Sequence, residues 1–132
     1  MKVICLGGAG RICRETAEDL ARFSDFDQIT IADFNERVGA EVVASINDPR
    51  VTFMKIDVNN HADAVSKIKG YDIVADGTTI SMNGKTSAII AEAGCHAVNL
   101  NGMGDENEYA AVFAEKQRVF VPGFGMTPGI TP

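Results

Sequence analysis

Short, continuously apolar runs alternate with longer amphipathic segments along the whole sequence. The first run, residues 2–6, is mostly aliphatic and stops at a glycine, which predicts a strand buried on both faces. From residue 11 to residue 23 the apolar residues recur at helical spacing, with charged residues between them. This segment therefore predicts an amphipathic helix that follows the strand directly.

The same alternation continues along the chain. Five more strands are predicted, at residues 29–32, 51–56, 72–75, 96–99 and 119–121. Four more helices are predicted between them: one on Val38, Val42 and Ile46, one on Ala62, Val65 and Ile68, one over residues 85–93 with Gly94 as its cap, and one on Tyr109, Ala110 and Phe113 with Asp105 as its cap. Six strands separated by five helices predict a Rossmann-type α/β fold, a doubly wound parallel sheet with helices on both faces. No linker or repeat divides residues 1–132, so the sequence predicts a single domain.

Composition narrows the possible partners and location. The 132 residues are 45% hydrophobic and 23% charged, and they carry a net charge of −6 with no basic run. Nucleic acid and anionic membrane surfaces are therefore poor partners, and no stretch reaches the ~18 apolar residues that span a bilayer. The three cysteines lack metal-ligand spacing and lie in apolar segments, so we expect no metal site and buried thiols in a reducing, cytoplasmic protein.

The turn between the first strand and the first helix carries a glycine-rich motif. Gly8 and Gly10 occupy the first two positions of G-x-G-x-x-G, the loop that binds the pyrophosphate of a dinucleotide. We expect Gly8 to permit the tight turn and Gly10 to let the backbone approach the phosphates. The N–H groups around Arg11 and Ile12, at the positive end of the helix, would receive the phosphate oxygens. A glycine-rich turn without a ligand is the alternative.

The third position of the motif holds Cys13, where glycine or alanine is expected. The first helix must therefore lie slightly farther from the first strand or accommodate a thiol. A packing role is favoured for Cys13 over redox chemistry, because its neighbours are apolar and no resolving thiol is expected nearby.

An acid at the end of the second strand indicates which cofactor the motif serves. Asp33 lies twenty-five residues after Gly8, where a carboxylate bonds the ribose hydroxyls of NAD. It would repel the 2′-phosphate of NADP, and the next residue is Phe34 instead of an arginine. NAD is therefore the expected cofactor. NADP is less favoured, with Arg11 or Arg37 as the candidate ligand of its extra phosphate.

Other polar residues follow later strands, at the edge where open parallel sheets bind their ligands. After the third strand, Asp57 and Val58 are placed to meet the adenine, or Asp57 instead caps the turn towards the next helix. After the fourth strand, Thr78 and Thr79 are expected to pass under the pyrophosphate and the nicotinamide ribose, with an ordinary Gly-Thr turn as the alternative. Asp76, two residues before Thr78, is interpreted as a turn residue. Neither histidine has partners at metal-ligand or catalytic spacing, and both are interpreted as structural.

Several segments point to one known family. They are the opening ten residues, the Asp57-Val58 turn, the helix end Glu92-Ala93-Gly94, the strand His96-Ala97-Val98-Asn99-Leu100, and the ending Val121-Pro122-Gly123-Phe124-Gly125-Met126-Thr127-Pro128-Gly129. Together these segments resemble the saccharopine dehydrogenase family. Its lysine 6-dehydrogenase-like members are the most similar, because they share an acid like Asp33 and the closing Pro-Gly segment.

This resemblance implies an NAD(P)-dependent dehydrogenase or reductase that transfers hydride at a carbon–nitrogen centre of an amino acid or amine. It also implies a second domain that supplies the substrate pocket, so we expect the chain to be the nucleotide-binding part of a longer protein. The family often places an aspartate where this chain has Asn99, and we assign no catalytic residue. A non-catalytic NAD-sensing regulatory domain is the alternative function, and a homo-oligomer is compatible with either one.

Overall fold

The computed structural model describes residues 1–100 and 106–123 of the chain. The strands are β1 (Lys2–Leu6), β2 (Gln28–Asp33), β3 (Val51–Lys55), β4 (Ile73–Asp76), β5 (His96–Asn99) and β6 (Phe120–Val121). The helices are α1 (Arg11–Phe23), α2 (Glu36–Ile46), α3 (His61–Ile68), α4 (Asn83–Ala93) and α5 (Glu106–Glu115), and a 3₁₀ turn at Ile80–Met82 precedes α4. Strands and helices alternate as the sequence predicts.

All the strand pairs are parallel, and the strands lie in the order β3-β2-β1-β4-β5-β6. The chain first winds outwards from β1 to β3, then crosses back to β4 on the other side of β1. Strand order therefore reverses at β1, and the loops after β1 and β4 diverge there to leave a crevice at the carboxyl edge of the sheet. The predicted Rossmann-type doubly wound fold is confirmed.

The sheet is buried between two layers of helices, which explains why its first strand is apolar at every inner position. Val3 and Cys5 pack with α1 and α2, whereas Ile4 and Leu6 pack in the layer formed by α3, α4 and α5. Successive side chains of a strand point to opposite faces, so a strand covered on both faces needs apolar residues throughout. All three cysteines are buried thiols of this core, as the sequence predicts.

Helix boundaries differ from the prediction in two places. α4 begins at Asn83, two residues before the predicted start, and its buried residues include Asn83, Thr86 and Ser87. In α3 the buried alanine is Ala64 and not Ala62, because Ala64 and Ile68 share the inner stripe. The predicted cap of α4 is confirmed, since Gly94 has the left-handed φ of 76°. Asp105, the predicted cap of α5, lies outside the described residues.

An arginine joins the end of α1 to the turn before β3. The Arg50 guanidinium donates hydrogen bonds to the carbonyls of Ala21, Ser24 and Phe26, and it pairs with Asp48 at 2.8 Å. Cations at a helix C-terminus satisfy carbonyls that lack helical partners. Arg50 therefore holds the end of α1 against the turn that follows α2.

No helix in the described part of the chain is long and apolar enough to cross a membrane.

Candidate functional site

A cleft of about 510 Å³ opens at the carboxyl edge of the sheet, where strand order reverses. Residues after four strands line it: Leu6, Gly7 and Gly10 at β1, Asp33 and Phe34 at β2, Ile56, Asp57, Val58 and Asn59 after β3, and Gly77, Thr78, Thr79 and Met82 after β4. Six of the nine residues assigned to a cofactor from the sequence are thus brought together: Gly10, Asp33, Asp57, Val58, Thr78 and Thr79. Gly8, Arg11 and Ile12 lie in the adjoining loop and first helical turn.

The glycine loop turns over residues 7–10, where the N–H of Gly10 donates to the carbonyl of Gly7 at 2.9 Å. Gly7 has the left-handed φ of 73°, and its N–H donates to the carbonyl of Ala32 at 2.8 Å. Gly8 lies beneath the loop, where a Cβ would stand 2.7 Å from the carbonyl oxygen of Cys5. Gly7 therefore supplies the left-handed conformation, and Gly8 lets the tight turn lie close to the sheet.

The first turn of α1 presents backbone N–H groups at the end of this loop. Gly10 is the N-cap, and within the described residues no side chain caps the helix and no acid lies in its first turn. The side chains of Arg11 and Ile12 are exposed, Ile12 by 60%. Uncapped N–H groups at the positive end of a helix favour an anion such as a phosphate.

Cys13 is accommodated by a glycine on the neighbouring turn. A Cβ at Gly77 would stand 2.6 Å from Cβ of Cys13, so α1 approaches β4 at a position where only glycine fits. The Cys13 thiol is buried, 3.7 Å from the carbonyl oxygen of Leu6. Contrary to the sequence expectation, a second thiol, Cys5, lies next to it, because β1 runs beneath α1, and the Cys5 contact and burial raise the pKa of Cys13. A thiol held protonated in this way has a packing role. The motif tolerates a cysteine at its third position because Gly77, on the facing turn, has no side chain and leaves room for it.

Asp33 connects the glycine loop to the turn after β2. Its Oδ2 accepts a hydrogen bond from the N–H of Ala9 at 3.0 Å, and its Oδ1 accepts from the N–H of Asn35 at 2.9 Å. A carboxylate has about four acceptor positions, so two remain for other donors. The half-buried Asp33 is thus held rigidly in the cleft wall with acceptor capacity to spare.

The exposed ring of Phe34 lines the cleft next to Asp33 and lies close to a lysine. Lys55 places its Nζ 5.7 Å from the ring centroid and 3.6 Å from Glu36. Arg37, one of the two candidate ligands of a 2′-phosphate, pairs with Glu41 on the exposed face of α2. Lys55 and Arg37 therefore both have carboxylate partners.

Asp57 closes the turn after β3, which is one of the two roles that the sequence left open for it. Its Oδ1 accepts from the N–H of Asn59 at 2.9 Å and so closes the turn, while Asn60 caps α3 through the N–H of Asp63. Asp57 and Val58 also line the cleft. The helix cap is thus Asn60, a residue that the sequence analysis did not single out.

Asp76 is more than the turn residue expected from the sequence. It is 2% exposed, and its Oδ1 accepts from both the N–H and the hydroxyl of Thr78, at 3.0 and 2.6 Å. Its Oδ2 accepts from the hydroxyl of Thr86 in α4 at 2.5 Å. The carboxylate therefore fixes the Gly77-Thr78 turn in the cleft wall against the first turn of α4.

A second cleft, of about 270 Å³, lies beside the first. It is lined by Cys13, Thr16, Ala75, Asp76, Gly77, Val98, Asn99 and Leu100. The amide of Asn99 donates to Oδ1 of Asn83 at 2.8 Å and accepts from the N–H of Gly123 at 3.0 Å. Both ends of this amide thus join parts of the fold. The residues after Gly123 that resemble the family ending lie outside the described residues.

The two histidines have structural partners. His61 contacts the carboxylate of Glu92 at 2.6 Å, and Nδ1 of His96 accepts from the N–H of Val119 at 3.0 Å. Within residues 1–100 and 106–123, no group of three or more acidic, histidine or cysteine side chains is arranged to hold a metal ion.

Comparison with known families settles the relationship that these features suggest. The profile described as the saccharopine dehydrogenase NADP binding domain matches residues 3–121, which include both clefts and reach from β1 to β6. This chain belongs to the saccharopine dehydrogenase family. The resemblance noted in the sequence is thereby confirmed, and the glycine loop and Asp33 lie within the NAD(P)-binding domain that defines the match.

Solved structures share the fold at low sequence identity. Apo saccharopine dehydrogenase (L-Glu forming) from Saccharomyces cerevisiae superposes with a TM-score of 0.84 and 15% identity, over 98% of this chain and 28% of that protein. A wide-type short-chain dehydrogenase/reductase from Veillonella parvula in complex with NADP gives a TM-score of 0.63 and 15% identity, over 92% of this chain and 67% of that one. UDP-N-acetylglucosamine 3-dehydrogenase from Acidithiobacillus ferrooxidans gives a TM-score of 0.67 and 19% identity, over 93% of this chain and 38% of that one. This member of the saccharopine dehydrogenase family thus covers little more than a quarter of the length of the yeast protein.

Proposed function

We propose that the larger cleft binds NAD, and that the chain is the cofactor-binding part of an oxidoreductase of the saccharopine dehydrogenase type. The observation that carries this proposal is the position of Asp33. Its carboxylate is held beside the glycine loop by two backbone N–H groups and keeps about two acceptor positions. Two adjacent ribose hydroxyls require such a pair of acceptors.

The remaining residues fit an extended dinucleotide. Gly10 and the N–H groups of Arg11 and Ile12 would hold the pyrophosphate, because this turn lacks an internal cap among the described residues. Asp57 and Val58 would border the adenine, and Thr78 and Thr79 would lie along the nicotinamide ribose. When bound, the nicotinamide supplies the hydride chemistry, and the protein supplies position and electrostatics.

The charges around the cleft favour NAD over NADP, although the family profile is described by NADP. Within the described part of the chain, the lining of the larger cleft contains two carboxylates, Asp33 and Asp57, and neither lysine nor arginine. A 2′-phosphate would add negative charge next to Asp33. Lys55, the neighbour of Asp33 in the strand register, and Arg37 are both paired with glutamates. Repulsion between the Asp33 carboxylate and the 2′-phosphate therefore disfavours NADP.

For the whole protein, we propose hydride transfer at a carbon–nitrogen centre of an amino acid or amine, as in lysine 6-dehydrogenase-like relatives. The family membership supports this reaction class. The substrate pocket and the acid or base would come from a further domain, because the larger cleft offers carboxylates committed to turns and to the cofactor. Asn99 is an amide, which does not take a proton at neutral pH, and it has no catalytic role in this scheme.

Calorimetric titration of NAD and NADP into the protein and its Asp33→Ala variant tests the cofactor proposal. We expect the variant to bind NAD more weakly by about 1–3 kcal/mol, or roughly 5- to 150-fold, and to discriminate less against NADP. The matched control is Asp25→Ala, which removes an exposed carboxylate at the opposite edge of the sheet. A folded Asp33→Ala protein with unchanged NAD affinity would refute the assigned role.

A further inference from the structure

Asp76 is a buried carboxylate whose hydrogen-bond donors are all neutral. The donors are the N–H and hydroxyl of Thr78 and the hydroxyl of Thr86. Within residues 1–100 and 106–123, no ion pair joins Asp76 to a lysine, arginine or histidine. Three donors directed at one carboxyl group are the arrangement that an ionised, acceptor-only carboxylate requires. The negative charge is therefore held in place without a cation to neutralise it.

The sheet places this charge opposite Asp33 across the glycine loop. In the strand register, Asp76 is the neighbour of Leu6 on one side and of Asn99 on the other. Asp33 follows Ala32, which is the neighbour of Leu6 on the far side of β1. The proposed adenosine side of the crevice thus has Asp33, and the side towards β5 has Asp76.

The second cleft lies on the Asp76 side, and the charge of Asp76 acts on another residue of its lining. Asp76 lines that cleft together with Cys13. After the Cys5 thiol and burial, the Asp76 charge is a further cause that raises the pKa of Cys13. An extended dinucleotide whose adenosine lies at Asp33 would direct its nicotinamide half towards this side.

Nearby cations do not cancel the buried charge. Arg11 and Lys85 are exposed, and Lys85 donates to the side chain of Asn59 at 2.5 Å. Solvent and salt screen exposed charges strongly, whereas a buried charge acts through a less polarisable medium and is screened much less. Among the described residues that line the second cleft, Asp76 is the only one with a charged side chain.

We propose that Asp76 makes this site bind the oxidised nicotinamide cofactor in preference to the reduced one. This inference rests on the proposed function, NAD binding in the crevice. The oxidised nicotinamide ring carries a positive charge that the reduced ring lacks, and the two cofactors are otherwise nearly identical. A fixed negative charge on the nicotinamide side stabilises the positive ring and leaves the neutral ring unaffected.

The test compares the affinities of oxidised and reduced NAD, measured by calorimetry, in the wild-type chain and two variants. Asp76→Asn removes the charge but keeps the shape and an oxygen that accepts from Thr78. Thr86 then accepts from the new amide and donates to the carbonyl of Met82 or Asn83, at 3.3 and 3.2 Å. Asp25→Asn changes net charge by the same amount at the opposite, exposed edge of the sheet.

We expect the wild-type chain to bind the oxidised form about tenfold more tightly, from a unit charge acting over about 10 Å at an effective dielectric constant of about 20. Asp76→Asn should lose most of this ratio, and Asp25→Asn should retain it. Equal wild-type affinities for the two forms, or a ratio unchanged in Asp76→Asn, would overturn the proposal. Failure of the wild-type chain to bind either form would instead overturn the proposed function.

A salt series keeps the inference testable if Asp76→Asn does not fold. The phosphates of the two cofactor forms are the same, so their salt dependence cancels in the ratio of affinities. A preference that originates in the buried carboxylate should persist between about 0.02 and about 0.3 M salt, where exposed charges become screened. A wild-type preference that disappears over this range would assign it to surface acids and not to Asp76.

Discussion

The contact between Gly77 and Cys13 makes a prediction that can be tested without knowledge of the ligand. In Gly77→Ala, the new methyl group would stand 2.6 Å from Cβ of Cys13 and 2.9 Å from its Sγ. Carbon atoms in contact are separated by about 3.5–4.0 Å, so the overlap is about 1 Å. Rotation of the Cys13 side chain moves Sγ away but leaves Cβ in place, because Cβ is fixed to the backbone of α1.

The helix or the turn must therefore shift, which we expect to cost about 1–3 kcal/mol of the free energy of unfolding. In a domain of this size, a loss of 1 kcal/mol lowers Tm by about 4 °C, so Tm should fall by about 4–12 °C. Urea and thermal unfolding, followed by circular dichroism, measure both quantities. The Gly77→Ala protein should also bind NAD more weakly, since Thr78 moves with the turn.

A double-mutant cycle separates this steric conflict from a general intolerance of Gly77 to substitution. Cys13→Gly costs roughly 0.3 kcal/mol in helix propensity and some buried area, but it removes the Cβ and Sγ atoms that the new methyl group would overlap. In its background, Gly77→Ala should be nearly neutral, which corresponds to a coupling free energy of about 1–3 kcal/mol. Cys13→Ala keeps Cβ and should give little rescue. Additive effects of Cys13→Gly and Gly77→Ala would refute the reasoning.

Two further predictions concern packing and pH. Gly39→Ala in α2 would place a methyl group 2.1 Å from the ring of Phe53, so it should destabilise the fold by about 1–3 kcal/mol in urea unfolding. In a Phe53→Ala background this destabilisation should disappear. A neutral effect of Gly39→Ala in the wild-type chain would contradict the close approach of α2 to the ring. The hydrogen bonds from Arg50 lower the pKa of Asp48, so this carboxylate stabilises the fold above its unfolded value of about 3.9, and the stability is lost as pH falls through the lower folded value. Tm measured between about pH 2 and pH 6 should therefore fall less steeply in acid for Asp48→Asn than for the wild-type chain, and parallel curves would contradict the linkage.

The sequence was most informative where one residue type satisfies one local requirement. The apolar run of β1 predicted a strand covered on both faces, because neither face of a central strand reaches water. Gly94 predicted the end of α4, since its left-handed φ of 76° is one that glycine adopts without strain. Asp33 was recognised because its distance from the glycine loop along the chain is short and fixed by one helix and one strand.

The sequence was least informative where the partner of a residue lies far along the chain. The motif singles out Gly8, but the left-handed φ lies at Gly7, and the need for glycine at position 8 comes from its close approach to the backbone of Cys5. Gly77 is needed opposite Cys13 because α1 lies so close to the end of β4. Both contacts are products of tertiary packing, which local patterns do not contain.

The same reason explains why Asp76 was interpreted as an ordinary turn residue. Its third donor is Thr86, on the helix predicted over residues 85–93. The first turns of α4 instead bury Asn83, Thr86 and Ser87 against the strand ends. The available signal was the presence of three small polar residues at helical spacing near the start of this helix.

The parallel pairing of β1 with β4 has a consequence for the order in which the chain acquires its fold. Lys2 pairs with Gln28 across 26 residues, but Val3 pairs with Ile73 across 70 residues (73 − 3). Closing the longer loop has the greater entropic cost, so β1, α1 and β2 can associate before β4 arrives. Until then the glycine loop has no opposite wall, because Gly77 and Thr78 are not in place. A nascent chain emerging from a ribosome would thus acquire its nucleotide crevice in one late step, well after its first helix has docked.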